Sequence, residues 1–272
     1  MSTPRIGLVW HGDREARDSA DLTASRFAKA AAALEAVGIQ AEAVIYNDDF
    51  IDEVRAQILG LDAIQVWVNP IEGGRDRSKL DQLLREVAEA GVRLNTHPDT
   101  ILSMGTKQVL VDPKDLGWGS DVAVYSSIEQ LSAELPARLK TGARVLKQLR
   151  GHSGGGIWKV ELADDPGLVR LRHAQRGCVE EAVPFQEVVE RMRAYFDASG
   201  RMIDQAYQVR LPEGITRVYM VEARVGGFGH QAINALYPAE AGKSPEDAPQ
   251  PGPRLYYPPD QPEFQQLGNL ME

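Results

Sequence analysis

A chain of 272 residues, 43% hydrophobic and 25% charged, is long enough for a large core and for two or three lobes. Thirty basic against 39 acidic residues leave a formal charge of −9, which argues against a general nucleic-acid binder. The single cysteine, Cys178, excludes an internal disulfide and any multi-cysteine metal site. No signal peptide is read ahead of the first strand and no apolar run approaches the roughly 18 residues of a membrane helix, so a cytoplasmic protein is expected.

Ile6 to Trp10 reads as a short buried strand ended by His11, Gly12 and Asp13. Alanines and Leu34 on one side predict a helix over Ala20–Val37, stopped by Gly38. A strand over Ile39–Tyr46, a helix over Ile51–Leu59, a strand over Ala63–Val68, a helix over Lys79–Ala90 and a strand over Val92–Asn95 follow. That alternation predicts a parallel α/β lobe over residues 1–98, with ligand-facing loops at the strand carboxyl ends. His11 sits at one such end and Asn69 to Arg75 at another; they contact substrate or are simply turn chemistry.

Asn95-Thr96-His97-Pro98 leaves the last of these strands, and Asp99 is expected to cap a helix through Lys107 to about Val111. A lone Lys on such an apolar face is usually exposed or snorkelling. A helix over Ser127–Leu139 precedes the stretch around which the chain is organised. Val145 and Leu146 carry Lys147 on a strand, which breaks into Gly151, His152, Ser153, Gly154, Gly155 and Gly156 and resumes at Ile157. Three consecutive glycines are a poor choice for a plain hairpin, but suit backbone N–H groups that close over an anion. The phosphate-loop pattern fits badly because Ile157 and Trp158 follow the last glycine, and the dinucleotide fingerprint because a strand follows, which leaves a glycine-rich β-loop lying over a nucleotide or a mobile surface hairpin. Five cations and no acid lie between Arg138 and Arg150, either around an anionic ligand or as a solvated face.

Leu168–Arg172 reads as a strand, and Pro184 opens a helix over Phe185–Phe196. Met202–Leu211 and Arg217–Val225 both alternate and predict an antiparallel pair turning at Pro212-Glu213-Gly214. This pair delivers Gly226 to Gln231 and then Asn234. Eight of the 16 prolines fall between Pro238 and Glu263, which predicts neither regular helix nor central strand there. Phe264–Glu272 reads as the beginning of a helix.

This order of parts resembles the ATP-grasp superfamily, in particular carboxylate–amine ligases of the glutathione-synthetase and D-alanine ligase type. It consists of an α/β lobe ending in Asn-x-x-Pro with a Lys after it, a strand Lys with a glycine β-loop, a hinge strand, and a Gly turn leading to Arg217-Val218-Tyr219-Met220-Val221. The resemblance implies an α/β lobe followed by α+β lobes with antiparallel sheets: residues 1–98, 99–175 and 176–272. It implies ATP-dependent ligation through an acyl phosphate, with ATP and Mg²⁺, small carboxylate and amine substrates, no nucleic acid or membrane partner, and a homodimer. Lys107, Lys147 and Gly151 to Gly156 then correspond to nucleotide-contacting positions, and Gln205, Ala206 and Tyr207 to the hinge beside the adenine. Arg217 corresponds to an arginine near the transferred phosphate. Arg224 is assigned with it to catalysis, and His11, His230, Gln231 and Asn234 to substrate.

In such ligases an Asp and then a Glu-x-Asn pair on C-terminal strands hold the metal. No such pattern follows residue 225, so no metal ligands are identified and the last lobe is expected to be incomplete. Two other readings stay open: a nucleotide-binding module without turnover, and an unrelated α/β transferase whose glycine loop serves another phosphate.

Overall fold

The computed structural model describes residues 3–72, 75–112, 120–151 and 154–272. By contacts the chain divides into two compact units, Met1–Val109 and Leu110–Glu272. No described helix is long and apolar enough to cross a membrane.

The first unit runs β1 (Arg5–His11), α1 (Arg14–Asp18), α2 (Ala28–Ala36), β2 (Gln40–Tyr46), α3 (Ile51–Ile58), β3 (Ala63–Val66), the short pair β4 (Ile71–Glu72) and β5 (Arg75–Asp76), α4 (Ser78–Glu89), β6 (Arg93–Asn95) and α5 (Pro98–Met104). Its main sheet is parallel with order β2-β1-β3-β6. Leu8, Val9, Val44, Ile45 and Ile64 are buried, as expected of strands covered on both faces. Gly7 is required at the centre, because a Cβ there would lie 2.7 Å from Leu61 Cδ1 and 2.9 Å from Val44 Cγ2.

Two helices depart from expectation. The helix expected from Ala20 begins only at Ala28. Ahead of it the Asp21 carboxylate accepts hydrogen bonds from the Thr23 backbone N–H and hydroxyl, an alternative to helix that short polar side chains offer. Phe27 then turns inward between Trp10 and Trp67, with ring centroids 5.1 and 4.8 Å away. The helix expected to run through Lys107 stops at Met104, before Gly105, and resumes as one 3₁₀ turn over Lys107–Leu110. Its N-cap is His97, with Pro98 in the first turn, rather than Asp99.

The second unit contains β7 (Val122–Tyr125), α6 (Ile128–Leu139), β8 (Arg144–Gln148), β9 (Ile157–Leu162), β10 (Leu168–His173), β11 (Glu181–Pro184), α7 (Phe185–Ser199), β12 (Met202–Ala206), β13 (Ile215–Val221), β14 (Arg224–Gln231), β15 (Leu255–Tyr257) and α8 (Gln265–Met271). A six-stranded antiparallel sheet has the order β11-β10-β9-β8-β12-β7, and a three-stranded sheet the order β13-β14-β15. Leu146, Val160, Val169, Leu171 and Met202 form one core with Leu131 and Leu135 of α6 and Val188 and Met192 of α7. Alternate residues of those strands therefore face away from the helices. The chain is thus an α/β protein with a parallel Rossmann-like sheet followed by antiparallel sheets, as its sequence implied.

The strand pairing expected after residue 200 is corrected. Met202–Ala206 pairs with β8 and β7 inside the large sheet, not with the segment after Gly214. Leu211–Glu213 is a 3₁₀ turn that carries the chain out of that sheet. The actual hairpin is β13–β14, turning at Glu222 and Ala223, with Glu222 at φ 54°. Gly226 to Gln231 consequently belongs to β14, where Phe228 is buried with its ring 5.0 Å from that of Phe264. The proline-rich segment contributes only the edge strand β15, and α8 follows where a helix was expected.

Candidate functional site

The face of the six-stranded sheet opposite α6 and α7 forms one wall of a cavity of about 350 Å³. Val145 and Lys147 of β8, Ile157 and Lys159 of β9, Arg172 of β10 and Gln205 of β12 line it. They are the residues that strand alternation turns away from the core. Ile215 and Arg217 of β13 and Gln231 of β14 line it from the small sheet, with Ile233, Asn234 and Ala235 beyond. Ala206, Tyr207, Gln208 and Leu211 close the end where the chain passes from one sheet to the other.

Of the residues expected at a site, this cavity gathers Lys147, Gly154, Gln205, Ala206, Tyr207, Arg217, Gln231 and Asn234. Gly151, Gly155 and Gly156 lie in the same loop but do not line the cavity. Gln148 Nε2 donates to the Gly155 carbonyl at 2.9 Å, and Gly156, at φ 62°, leaves room for that side chain. At Gly154, φ is 82° and a Cβ would stand 2.2 Å from the Ala174 carbonyl oxygen, so the loop rests on the turn after β10 only because this position is glycine. His152 and Ser153 lie outside the described residues.

The remaining candidates lie elsewhere. Arg224 is exposed at the start of β14. His230 faces the other side of the small sheet, with Nε2 2.9 Å from the Glu213 carbonyl oxygen, beside Thr216, Tyr257 and Phe264. Lys107 and His11 belong to the first unit: Lys107 is half-buried, and burial lowers its ammonium pKa, while His11 is exposed at the end of β1.

Two cavity cations escaped the sequence reading, Lys159 and Arg172. Cross-strand register could have found them, since Val145 pairs with Lys159 and Lys159 with Arg172, which puts all three on the face that carries Lys147. Lys159 is partly neutralised by Glu161 Oε2 at 2.8 Å and lies 5.0 Å over the Tyr207 ring. The Glu161 carboxyl is lowered, chiefly by the hydrogen bond from Lys159. Lys147 Nζ donates to Gln205 Oε1, and Gln205 Nε2 donates to Ser120 Oγ at 2.7 Å. Arg172 and Arg217 have no ion-pair partner among the described residues, and Arg217 Nη1 is buried with no hydrogen-bond partner. Four cations and no carboxylate therefore line the described cavity.

The cation-rich stretch 138–150 divides between the two faces of the sheet. Of its five cations only Lys147 lines the cavity. Arg138 and Arg144 lie on the helix side. Arg138 Nε and Arg144 Nε each donate to Asp204 at 2.6 Å, the Tyr125 hydroxyl donates to Asp204 at 2.7 Å, and both arginines also reach Asp121, at 2.8 and 2.6 Å. Burial, and then the hydrogen bond to Asp204, push the Tyr125 hydroxyl well above the ordinary tyrosine pKa.

Among the described residues no three His, Cys, Asp or Glu side chains gather as a metal site. Among the described residues the cavity lining offers no carboxylate to hold a divalent metal. Cations and apolar side chains share the lining: Ile157 is paired with Lys147 next to the glycine loop, Val145 with Lys159 nearer Tyr207, and Leu211, Ile215 and Ile233 complete it.

No protein-family model and no curated protein matches the chain. Solved structures similar to it include a D-cycloserine synthetase, DcsG, at 14% identity over 97% of this chain and 78% of that one, with a TM-score of 0.58. The D-alanyl-alanine synthetase A of Vibrio cholerae is similar at 10% identity over 100% and 78%, with a TM-score of 0.55. The VanG D-Ala:D-Ser ligase of Enterococcus faecalis is similar at 12% identity over 98% and 80%, with a TM-score of 0.53. At such identities the likeness is one of fold, and in fold the chain resembles the ATP-grasp ligases.

Proposed function

We propose that the cavity of the second unit binds ATP and that the chain is an ATP-dependent ligase that activates a carboxylate for attack by an amine. The observation that carries this reading is the buried, unpartnered Arg217 Nη1 in a cavity lined by three further cations and no acid. A buried guanidinium N–H without an acceptor costs about 1–3 kcal/mol, which an anionic ligand oxygen would recover. Lys147 and Arg172 would hold the polyphosphate, the Gly154 region would cover it, and the Gln205–Tyr207 backbone with Leu211 and Ile233 would take the base.

In this reaction class the carboxylate oxygen bonds to the terminal phosphorus as the bridging oxygen leaves with ADP, and the amine then displaces phosphate. Arg217 would steady the charge on the phosphoryl group, and the loop would keep water from the activated acid. This sequence needs no protein nucleophile.

Calorimetric titration of the 272-residue chain with a non-hydrolysable ATP analogue tests the reading, with and without Mg²⁺. Saturable binding is expected, and Lys147→Ala is expected to weaken it roughly tenfold or more, as loss of a charge-assisted hydrogen bond does. Unchanged affinity in that variant would overturn the assignment. ADP release with a panel of acids and amines then tests turnover.

A further inference from the structure

The sheet face that brings Arg217 to the cavity continues beyond it. Arg217, Gly229 and Tyr256 are register partners across β13, β14 and β15, Ile215 pairs with Gln231, and Tyr219 pairs with Gly227. Directly paired residues share a face, so Arg217, Tyr219, Gln231 and Tyr256 stand together. The two glycines leave that face without side chains in its middle strand. A Cβ on Gly229 would lie 3.0 Å from Tyr219 Cε2, so glycine there lets the Tyr219 ring lie across β14.

Arg254, just ahead of β15, is held by this arrangement. Its Nε donates to Gln231 Oε1 at 2.6 Å and its Nη1 to the Tyr219 hydroxyl at 3.2 Å. Both acceptors are neutral, and no described carboxylate pairs with Arg254. A guanidinium has five N–H donors, and those of Arg254 meet only neutral groups among the described residues, Gln231, Tyr219 and the Tyr256 hydroxyl, so its charge is left without a counter-ion. Tyr219 and Tyr256, with ring centroids 6.2 Å apart, are 39% and 69% exposed beside it. Gln231 also lines the cavity, so the residue that holds Arg254 Nε belongs to the Arg217 site as well.

We propose that Arg254, Gln231, Tyr219 and Tyr256 form a carboxylate subsite at the edge of the cavity, which takes a small organic acid with a planar, aromatic body. The Arg254 guanidinium, whose charge no described carboxylate balances, takes the carboxylate, while the tyrosine rings carry the planar body. This subsite rests on the ligase reading above and names the acid that the ligase would activate.

The probe is 4-fluorobenzoate, titrated into the full chain and followed by fluorine NMR, with and without the ATP analogue. Saturable broadening is expected for the unaltered chain, with roughly tenfold weaker binding in Arg254→Gln and partial recovery in Arg254→Lys, which keeps the charge but loses the guanidinium. Thermal melts of each variant identify any that fail to fold, and Arg254→Lys then carries the comparison. Absence of saturable broadening, or equal binding in the unaltered chain and Arg254→Gln, overturns the subsite. The nucleotide titration separates this from the larger reading: analogue binding with no response from the probe removes the subsite alone. Arg254-dependent probe binding without analogue binding upholds the subsite and removes the nucleotide.

Discussion

The two faces of the six-stranded sheet differ in how fully they close positive charge, although on the cavity side too Lys159 is paired with Glu161. On the helix side Arg144, 2% exposed, and Arg138 converge on Asp204, which is 0% exposed, and on Asp121. On the cavity side Arg172 has no acidic partner among the described residues, and Arg217 of the small sheet brings a buried N–H with none. Arg144 and Lys147 are three residues apart on one strand, yet alternation assigns one to the core and the other to the cavity. Arg144, closed by carboxylates, holds the fold, whereas Arg172 and Arg217, with no acidic partner among the described residues, are available to a ligand.

The largest effect expected from this contrast is at Asp204. Asp204→Ala leaves Arg144 buried with only the half-exposed Asp121 as a charge partner and the Tyr125 hydroxyl without its acceptor. A loss of about 3–5 kcal/mol is expected, as for other buried ion pairs cut at one end. Urea denaturation measures it. A double variant, Asp204→Leu with Arg144→Met, is expected to cost less than the single one, because it removes both charges together. If the double variant is the worse of the two, packing rather than charge holds this face.

Much of the first unit was legible because its strands carry short apolar runs set between helices: β2 and β3 begin within one residue of expectation, and α3 and α4 stand where periodicity put them. The false helix start at Ala20 shows the limit, since its alanines continue helix propensity while Asp21 and Thr23 bond each other locally. In the second unit alternation gave the strands but not their partners. β12 pairs with β7 and β8, far away in sequence, and nothing in its own residues names them. The site was legible where a loop or strand end marks it, at Lys147, Gly154 and Gln205 to Tyr207. Lys159 and Arg172 depended on register across three strands, and the pairing of Arg138 and Arg144 on acids 17 to 66 residues away.

An intermediate and opposite effect is expected at Arg217. Arg217→Met removes a buried N–H that has no partner, so folding stability should stay level or rise by up to about 1 kcal/mol. Affinity for the nucleotide analogue should fall roughly tenfold or more. Paired denaturation and titration measure both. A variant that loses stability and keeps affinity would move Arg217 to the structural side and dissolve the contrast between the faces.

The smallest effect belongs to Asp121, whose side chain is 56% exposed. Burial, its largest single influence, pushes the carboxyl up, but the hydrogen bonds and charges of Arg144 and Arg138 together outweigh it and hold the group below the ordinary aspartate value. A depressed carboxyl binds fewer protons folded than unfolded. Its contribution is therefore complete above the unfolded value of about 3.9 and fades as pH falls through the lower folded value. Solvent screening keeps the contribution well under that of Asp204. Asp121→Asn should thus lower stability modestly at neutral pH and flatten the decline below about pH 4, as followed by urea midpoints across the acid range. Lys147→Met on the cavity face should leave that decline unchanged. If Asp121→Asn and the unaltered chain decline in parallel, the arginine pair is anchored by Asp204 alone, and Asp121 is a solvated neighbour of the network.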